Sequence, residues 1–270
     1  MLIKQLRIVE IELFNFCNRA CDWCPNKNLP ERRTNWKYLD FDLLIKLLDE
    51  LAENKYSGVF SFSRYNEPFA DYDTLEGACI VLKNMFPNNK IVSNTNGDYL
   101  TKEILEKCLI DELTIMDYDC KGKNWCYERL RSWGCENIEE HEKFLTASLG
   151  KLQILYCFNW PLVNSIGDRG GVLKEYSCPK LRDYPCYEPQ FFIGINYDGT
   201  VSPCCNIRSD TNNKTLLYGS LKEKSLNQLL NNKENRSFRK QVTSGNFPAS
   251  CFYCSNTGGR YTTKNGFTDL

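Results

Sequence analysis

The sequence predicts an α/β fold in which a parallel sheet with covering helices is followed by a smaller α+β region. Three observations support this prediction. Strand-like and helix-like segments alternate from residue 7 to residue 158, the alternation stops near Gly167, and a hairpin-like stretch follows around Asp198. A chain of 270 residues can bury a substantial core, either as one barrel-like domain with an appendage or as two modest domains.

The first region has the pattern of βα units around a parallel sheet. Strands are expected at residues 7–14, 59–62, 90–93, 112–116 and 151–158, and helices at residues 41–51, 75–85 and 102–109. The first helix is the clearest, because Leu44, Leu48 and Leu51 recur at helical spacing whereas Lys46 and Asp49 fall on the opposite face.

In the second region, glycine and proline interrupt the chain from Gly167 onward. The turn at Asp198 and Gly199 predicts a β-hairpin, because this dipeptide readily supplies the positive φ of a tight turn. The hairpin strands are expected at residues 190–196 and 200–202, and helices at residues 222–231 and 235–242. We therefore predict two domains, residues 1–166 and residues 167–270.

Charge and hydropathy exclude several classes of function. Lys plus Arg and Asp plus Glu number 34 each, so no excess positive charge is available for nucleic acid or an anionic membrane. No apolar run approaches the roughly 18 residues of a membrane span, and Glu10 and Glu12 interrupt the apolar start of the chain. We expect a cytoplasmic protein.

Cysteine dominates the residues that could carry chemistry. The chain has 15 cysteines and a single histidine, His141, which leaves histidine-based triads and His-rich zinc sites without their usual residue. In a reducing cytoplasm, closely spaced cysteines are more often metal or cluster ligands than disulfide partners.

The first cysteine cluster is a C-x3-C-x2-C set formed by Cys17, Cys21 and Cys24, directly after the first predicted strand. Three thiolates can bind three irons of one 4Fe-4S cubane and leave the fourth iron open to a chelating ligand. A zinc knuckle that borrows a fourth ligand is the alternative. The spacing, with the aromatic Trp23 before the third cysteine, is the signature of the radical S-adenosylmethionine (SAM) family, which this chain resembles.

The resemblance implies a partial (β/α) barrel and a reaction that begins with SAM. In the family, SAM chelates the open iron and is cleaved reductively to a 5′-deoxyadenosyl radical, with a protein such as flavodoxin or ferredoxin as reductant. The cofactor carries the difficult chemistry and the protein positions it.

Two further segments resemble SAM-binding positions of the family. Tyr65, Asn66 and Glu67 precede Pro68 in a segment similar to the family's G-G-E-P, although two glycines are missing. Thr95 and Asn96 belong to a T-N-G segment at the end of the third strand. The resemblance implies that Trp23, Asn66, Glu67, Thr95 and Asn96 contact SAM. Either segment alone also fits an ordinary turn.

The second cysteine cluster combines Cys186 and Cys204, on either side of the predicted hairpin turn, with the C-x2-C pair Cys251 and Cys254. Four thiolates complete the ligand shell of one cluster. This region resembles the auxiliary "twitch" domain, a shortened SPASM domain, which implies a second, auxiliary 4Fe-4S cluster. A zinc ribbon on the same cysteines is the alternative, and Cys205 is an alternative ligand to Cys204.

Across nearly its whole length the chain resembles the 2-deoxy-scyllo-inosamine dehydrogenases, twitch-bearing radical SAM enzymes of aminoglycoside biosynthesis. The matching segments are residues 17–26, 65–68, 95–100 and 168–173. The resemblance implies oxidation of a hydroxyl-bearing aminocyclitol or sugar-like molecule, with Arg169 at a substrate-contacting position and the auxiliary cluster as electron acceptor. Tyr65, Asp117 and Asp119 are positional candidates for the general base.

Two other functions remain open at this point. SPASM and twitch proteins also modify peptides by crosslinking, epimerisation or dehydrogenation, and a non-catalytic zinc-binding module would use the same cysteines. The substrate is therefore expected to be a small molecule or a peptide.

Overall fold

A computed structural model describes residues 3–163 and 167–255. Within these residues ten strands form one sheet: β1 (Ile8–Ile11), β2 (Val59–Ser61), β3 (Ile91–Thr95), β4 (Glu112–Met116), β5 (Glu136–Glu140), β6 (Phe144–Leu149), β7 (Leu152–Cys157), β8 (Phe192–Ile195), β9 (Thr200–Ser202) and β10 (Gly219–Ser220). The α-helices are α1 (Phe41–Glu53), α2 (Tyr72–Met85), α3 (Lys102–Lys107), α4 (Lys123–Ser132), α5 (Trp160–Val163), α6 (Glu188–Phe191), α7 (Leu226–Asn231) and α8 (Lys233–Thr243).

The centre of the sheet is parallel and its two ends are antiparallel. The strand order is β10-β9-β8-β1-β2-β3-β4-β7-β6-β5. Strands β8, β1, β2, β3, β4 and β7 pair in parallel, whereas β9 and β10 extend one end and β6 and β5 the other in antiparallel fashion. The described sheet is an open α/β sheet, which confirms the prediction of a partial rather than closed barrel.

Helix α1 shows why the predicted helices form. Asp40 caps it by accepting a hydrogen bond from the backbone N–H of Leu43 at 3.0 Å. Leu44, Leu48 and Leu51 are buried in the main core, as the helical spacing predicts. Burial of one leucine side chain contributes about 1.5–3 kcal/mol, so this apolar face holds the helix against the sheet.

Helix α4 and the β5–β6 hairpin were not predicted from the sequence. Helix α4 has only two buried residues, Cys126 and Leu130, so its helical periodicity is weak. Strand β5 is largely exposed and carries Glu136, Glu139 and Glu140. Charged residues are typical of a sheet edge, where they oppose pairing with another chain, and they hide the strand pattern.

The cysteine-rich second region continues the sheet of the first. Strand β8 pairs in parallel with β1, with Ile8 opposite Phe192 and Ile11 opposite Ile195. The predicted hairpin around Asp198 and Gly199 is present as β8 and β9. The proposed domain boundary, between residues 166 and 167, adjoins residues 164–166, which lie outside the described residues, and it stays a prediction.

A buried arginine, Arg64, joins the two regions. It donates hydrogen bonds to Glu10 at 3.0 Å on the β1 side and to Asn196 at 2.9 Å and Ser202 at 2.8 Å on the hairpin. Gly194 in β8 is required here, because a Cβ at that position would overlap the Arg64 guanidinium.

Two further buried arginines share one carboxylate at this junction. Arg32 bridges Glu12 at 2.9 Å and Asp210 at 2.7 Å. Arg208 binds Asp210 in a bidentate manner at 2.8 and 2.9 Å. Burial opposes ionisation of Asp210, yet Arg208 and Arg32 lower its pKa to about 2. The charges compensate one another, so they can remain buried between the two regions.

Among the described helices, none has both the length and the apolar character needed to cross a membrane.

Candidate active site

The three cysteines of the first cluster lie together in the loop that follows β1. Cys17, Cys21 and Cys24 are each partly exposed, and the backbone N–H of Cys24 donates to the carbonyl of Cys21 at 2.9 Å. Burial raises the pKa of Cys17 to about 12 and that of Cys21 to about 11, and the neighbouring thiols add to both shifts. Cys17 and Cys21 are thus protonated at neutral pH without metal, so binding of a cluster must supply the free energy that removes their protons.

The end of β2 is tied to the end of β3 by a buried carboxylate. Glu67 accepts hydrogen bonds from the Thr95 hydroxyl at 2.5 Å, from the backbone N–H of Asn96 at 2.8 Å and from that of Phe69 at 3.2 Å. Burial raises the pKa of Glu67 to about 7 even though these hydrogen bonds favour its ionised form. The structure therefore brings the two predicted SAM-contacting segments together through side chains.

Beside Glu67, Asn66 is 9% exposed and its side-chain oxygen has no hydrogen-bond partner among the described residues. A buried amide oxygen without a donor costs free energy, so a bound molecule that donates a hydrogen bond would satisfy it. The amino group of SAM is a donor of this kind. This observation fits a SAM-binding role for the segment.

An aromatic group lies next to the first cysteine loop. The ring centroid of Trp23 is 5.7 Å from that of Tyr118 and 6.2 Å from that of Trp160, and Tyr118 and Trp160 are 5.3 Å apart. Tyr118 follows β4 and Trp160 begins α5, so the loop packs against the ends of two strands. Sequence reasoning identified only Trp23, because the other two aromatics carry no motif.

Tyr65 lies at the junction of the two regions and is half-buried. The guanidinium carbon of Arg208 is 4.0 Å from the centre of its ring. Burial raises the pKa of Tyr65, although the positive charges of Arg169 and Arg208 oppose this shift. Burial also raises the pKa of Tyr118, and the positive charge of Arg169 opposes that shift as well.

The loop that carries Arg169 is held in an unusual backbone conformation. Arg169, Gly170 and Gly171 have φ values of 51°, 70° and 79°, which are left-handed. Asp168 accepts a hydrogen bond from the backbone N–H of Gly170 at 3.1 Å. A Cβ on Gly170 would lie 2.7 Å from the side-chain nitrogen of Asn213, so a larger residue does not fit. The sequence pattern D-R-G-G thus has a local structural reason and fixes the position of Arg169.

The four cysteines of the second cluster line one cavity. Its wall includes Cys186, Cys204, Cys251 and Cys254 together with Gly170 and further residues, and it does not include Cys205. Burial and the neighbouring thiols Cys254 and Cys186 raise the pKa of Cys251 to about 12. In the described part of the chain, no three Cys, His, Asp or Glu side chains lie close enough to hold a single metal ion. The four thiols are spaced around a cavity instead.

Arg182 is a buried cation in the wall of this cavity. It donates to the carbonyls of Tyr184 at 3.0 Å and Pro185 at 3.1 Å, and its guanidinium carbon is 4.3 Å from the Tyr184 ring centre. Its charge lowers the pKa of Cys186 and Cys251 against the larger effect of burial. An isolated arginine gives no sequence signal, so its role was not predicted.

Both aspartates considered as general bases have other partners. Asp117 is 4% exposed and accepts backbone hydrogen bonds from Lys121 at 3.0 Å, Gly122 at 2.9 Å and Asn159 at 3.1 Å. Asp119 forms an ion pair with Arg19 at 2.8 Å, and hydrogen bonds from Arg19 lower its pKa. A lowered pKa makes Asp119 a weaker base, and Asp117 holds the loop after β4.

Comparison with known proteins agrees with this geometry. Residues 11–109 match the radical SAM superfamily, and residues 186–255 match SPASM, an iron–sulfur cluster-binding domain. The chain therefore contains a radical SAM domain and a C-terminal iron–sulfur cluster-binding domain. Its radical SAM domain binds a 4Fe-4S cluster and SAM, and its SPASM domain binds auxiliary iron–sulfur, as predicted.

One curated relative and two solved structures extend the comparison. The chain is 25% identical over 257 residues to the S-adenosyl-L-methionine-dependent 2-deoxy-scyllo-inosamine dehydrogenase of Niallia circulans, with 94% of each chain covered. Its fold is similar to that of BtrN in complex with AdoMet and 2-DOIA, with a TM-score of 0.71, 23% identity and coverage of 93% of this chain and 94% of the other. It is also similar to anSMEcpe with bound AdoMet, with a TM-score of 0.51, 14% identity and coverage of 87% and 80%.

Proposed function

We propose that this enzyme oxidises a hydroxyl-bearing aminocyclitol or sugar-like small molecule to a ketone. The observation that carries the proposal is the loop of residues 168–171. Its Gly170 lines the cavity of the four cysteines, whereas the positive charge of its Arg169 acts on Tyr65 and on Tyr118, which packs against Trp23 of the first cysteine loop. A substrate held by Arg169 would therefore lie between the two cysteine sites.

Cys17, Cys21 and Cys24 would hold the SAM-binding cluster, and Cys186, Cys204, Cys251 and Cys254 one auxiliary cluster. When bound, the first cluster and SAM supply the radical that removes hydrogen from a carbinol carbon, and the auxiliary cluster supplies an acceptor for the remaining electron.

The protein's own groups bind and orient the reactants. We infer that Asn66 accepts a hydrogen bond from the SAM amino group, since its side-chain oxygen is buried without a donor among the described residues. Glu67, Thr95 and Asn96 stabilise the strand ends against which SAM would lie. Trp23, which packs against Tyr118, contributes an aromatic side chain to the SAM site.

Arg169 binds a substrate hydroxyl and Tyr65 contacts the substrate at the same junction. The raised pKa of Tyr65 makes its neutral phenol a hydrogen-bond donor at pH 7 rather than a ready base. The hydroxyl proton released on oxidation would then pass to solvent or to a base that enters with the substrate.

Labelled substrates test the proposal. Reconstituted enzyme is incubated anaerobically with SAM, dithionite and aminocyclitols that carry deuterium on each carbinol carbon in turn. We expect one position to transfer deuterium into 5′-deoxyadenosine and to become a ketone in equal amount. Deuterium transfer from a peptide and none from any polyol would overturn the proposal in favour of peptide modification. The absence of 5′-deoxyadenosine with every substrate would also contradict it.

We further infer a cytoplasmic location and a flavodoxin or ferredoxin as reductant, because an oxygen-sensitive cluster of low potential requires a reducing compartment and a one-electron donor. Replacement of dithionite by reduced flavodoxin tests the reductant, and SAM cleavage is the readout.

A further inference from the structure

One arginine in the first cysteine loop binds two carboxylates that come from different strand ends. Arg19 lies between Cys17 and Cys21. Its Nε and Nη2 donate to Asp98, after β3, at 2.7 and 2.6 Å, and its Nη1 and Nη2 donate to Asp119, after β4, at 2.8 and 3.0 Å. Each carboxylate is bound through both oxygens, so the planar guanidinium fixes their relative positions.

The hydrogen bonds continue from this arginine to the SAM-contacting segments. Asn18 donates to Asp98 at 2.7 Å and accepts from the side chain of Asn96 at 2.9 Å. The backbone N–H of Asn96 in turn donates to Glu67 at 2.8 Å. The cysteine loop is therefore connected to the ends of β2, β3 and β4 by a series of hydrogen bonds, of which the one from Asn96 to Glu67 is donated by the backbone.

These contacts differ from ordinary surface ion pairs. The Arg19 side chain is 19% exposed, compared with 33% for Asp98 and 52% for Asp119. Burial alone would raise the pKa of Asp98, but hydrogen bonds from Arg19 and Asn18, together with the positive charges of Arg19 and Arg129, lower it. Hydrogen bonds from Arg19 are the largest cause of the lowered pKa of Asp119. Isolated exposed pairs contribute little to stability, whereas bidentate networks also fix the geometry of the groups they join.

We propose that Arg19 is a positioning residue that holds the loop of Cys17, Cys21 and Cys24 in register with the strand ends that bind SAM. The inference rests on SAM binding at this loop and does not depend on which substrate is oxidised. A lysine has one ammonium group in place of the planar guanidinium and cannot bind both carboxylates in a bidentate manner. The geometry of the Arg19 side chain therefore matters in addition to its charge.

The test separates cluster content from SAM affinity. Wild type, Arg19→Gln, Arg19→Lys, Asp119→Asn and the control Arg131→Gln are reconstituted anaerobically. Among the residues that the structure describes, the Arg131 side chain forms one ion pair, an exposed contact with Glu128 at 3.9 Å. Iron per chain, the Kd for SAM without substrate, and the change that SAM causes in the EPR spectrum of the reduced cluster are measured.

We expect Arg19→Gln to retain iron and to bind SAM roughly 10–100-fold more weakly, the usual range for a residue that orients metal ligands. Arg19→Lys is expected between wild type and Arg19→Gln, Asp119→Asn closer to wild type, and Arg131→Gln at wild type. A SAM Kd within twofold of wild type in Arg19→Gln overturns the proposal.

If Arg19→Gln loses iron, the Asp119→Asn variant becomes the deciding test of the proposal. In that variant Arg19 is still present and still binds Asp98. Retained iron with a weaker SAM Kd and an altered EPR response supports positioning, whereas loss of iron or an unchanged Kd overturns it. SAM affinity is measured without substrate, so a failure to form ketone, which would contradict the proposed function, leaves this result intact.

Discussion

The two cysteine sites are assembled in different ways. Cys17, Cys21 and Cys24 fall within one loop after β1, which side chains such as Arg19 tie to neighbouring strand ends. The four thiols of the second site come from three segments that are far apart in sequence and meet only around a cavity. The first site is formed by a single loop that is stabilised by contacts with neighbouring strand ends. The second site forms only once the C-terminal region has folded.

The largest expected effect comes from removal of one thiol of the local site. Cys17→Ala is expected to abolish SAM cleavage, because two thiolates cannot hold the cluster that presents an open iron. Iron is expected to fall from about eight to about four per chain, since each 4Fe-4S cluster contains four irons. Iron and sulfide analysis, with 5′-deoxyadenosine quantified by chromatography, gives the result. Cys108→Ala, outside both sites, is the matched control.

Removal of one thiol of the distant site is expected to have a more selective effect. Cys204→Ala should also reduce iron from about eight to about four per chain but leave SAM cleavage in place, while ketone formation is lost. Cys205→Ala is the matched control, because Cys205 does not line the cavity. If Cys205→Ala loses the iron and Cys204→Ala keeps it, the ligand assignment is wrong. Zinc in place of iron would contradict the auxiliary cluster.

The junction between the two sites can be weakened separately. Asp210→Asn leaves Arg32 and Arg208 buried without their shared carboxylate and is expected to destabilise the cluster-free protein by about 3–5 kcal/mol. Because the folded pKa of Asp210 is depressed to about 2, its stabilisation is present at neutral pH and is lost as pH falls through that value. Chemical denaturation at pH 7 measures the effect, and the exposed Asp183→Asn, expected to leave stability close to that of wild type, is the control.

The smallest expected effect concerns Glu67 and depends on pH. The folded pKa of about 7 lies above the ordinary value of 4.5. At pH values between these two, the Glu67 carboxyl is therefore protonated in the native state and ionised in the unfolded state. Raising the pH from 5 to 8 is therefore expected to destabilise wild type relative to Glu67→Gln, by up to about 3 kcal/mol. Denaturation of cluster-free protein at several pH values tests this, and a difference that stays constant with pH would contradict it.

Much of the fold was predictable because its signals are local. The leucine spacing of α1 and the Asp198–Gly199 turn fix an element within a few residues. Helix α4 and strand β5 were missed because their burial is slight, with Cys126 and Leu130 as the only buried residues of α4. Such elements are stabilised by packing or pairing with another strand or helix, and the sequence does not show which one that is.

The sequence by itself was enough to predict the chemistry of the first site, because Cys17, Cys21 and Cys24 lie within one loop and their spacing needs no long-range contact. It also determined which cysteines could form the second. Only the tertiary structure decided that Cys204 rather than Cys205 lines the cavity, and that Arg19 binds both Asp98 and Asp119. Asp98 and Asp119 are 79 and 100 positions from Arg19 in the chain, and pairing over such separations is set by how the parallel strands align.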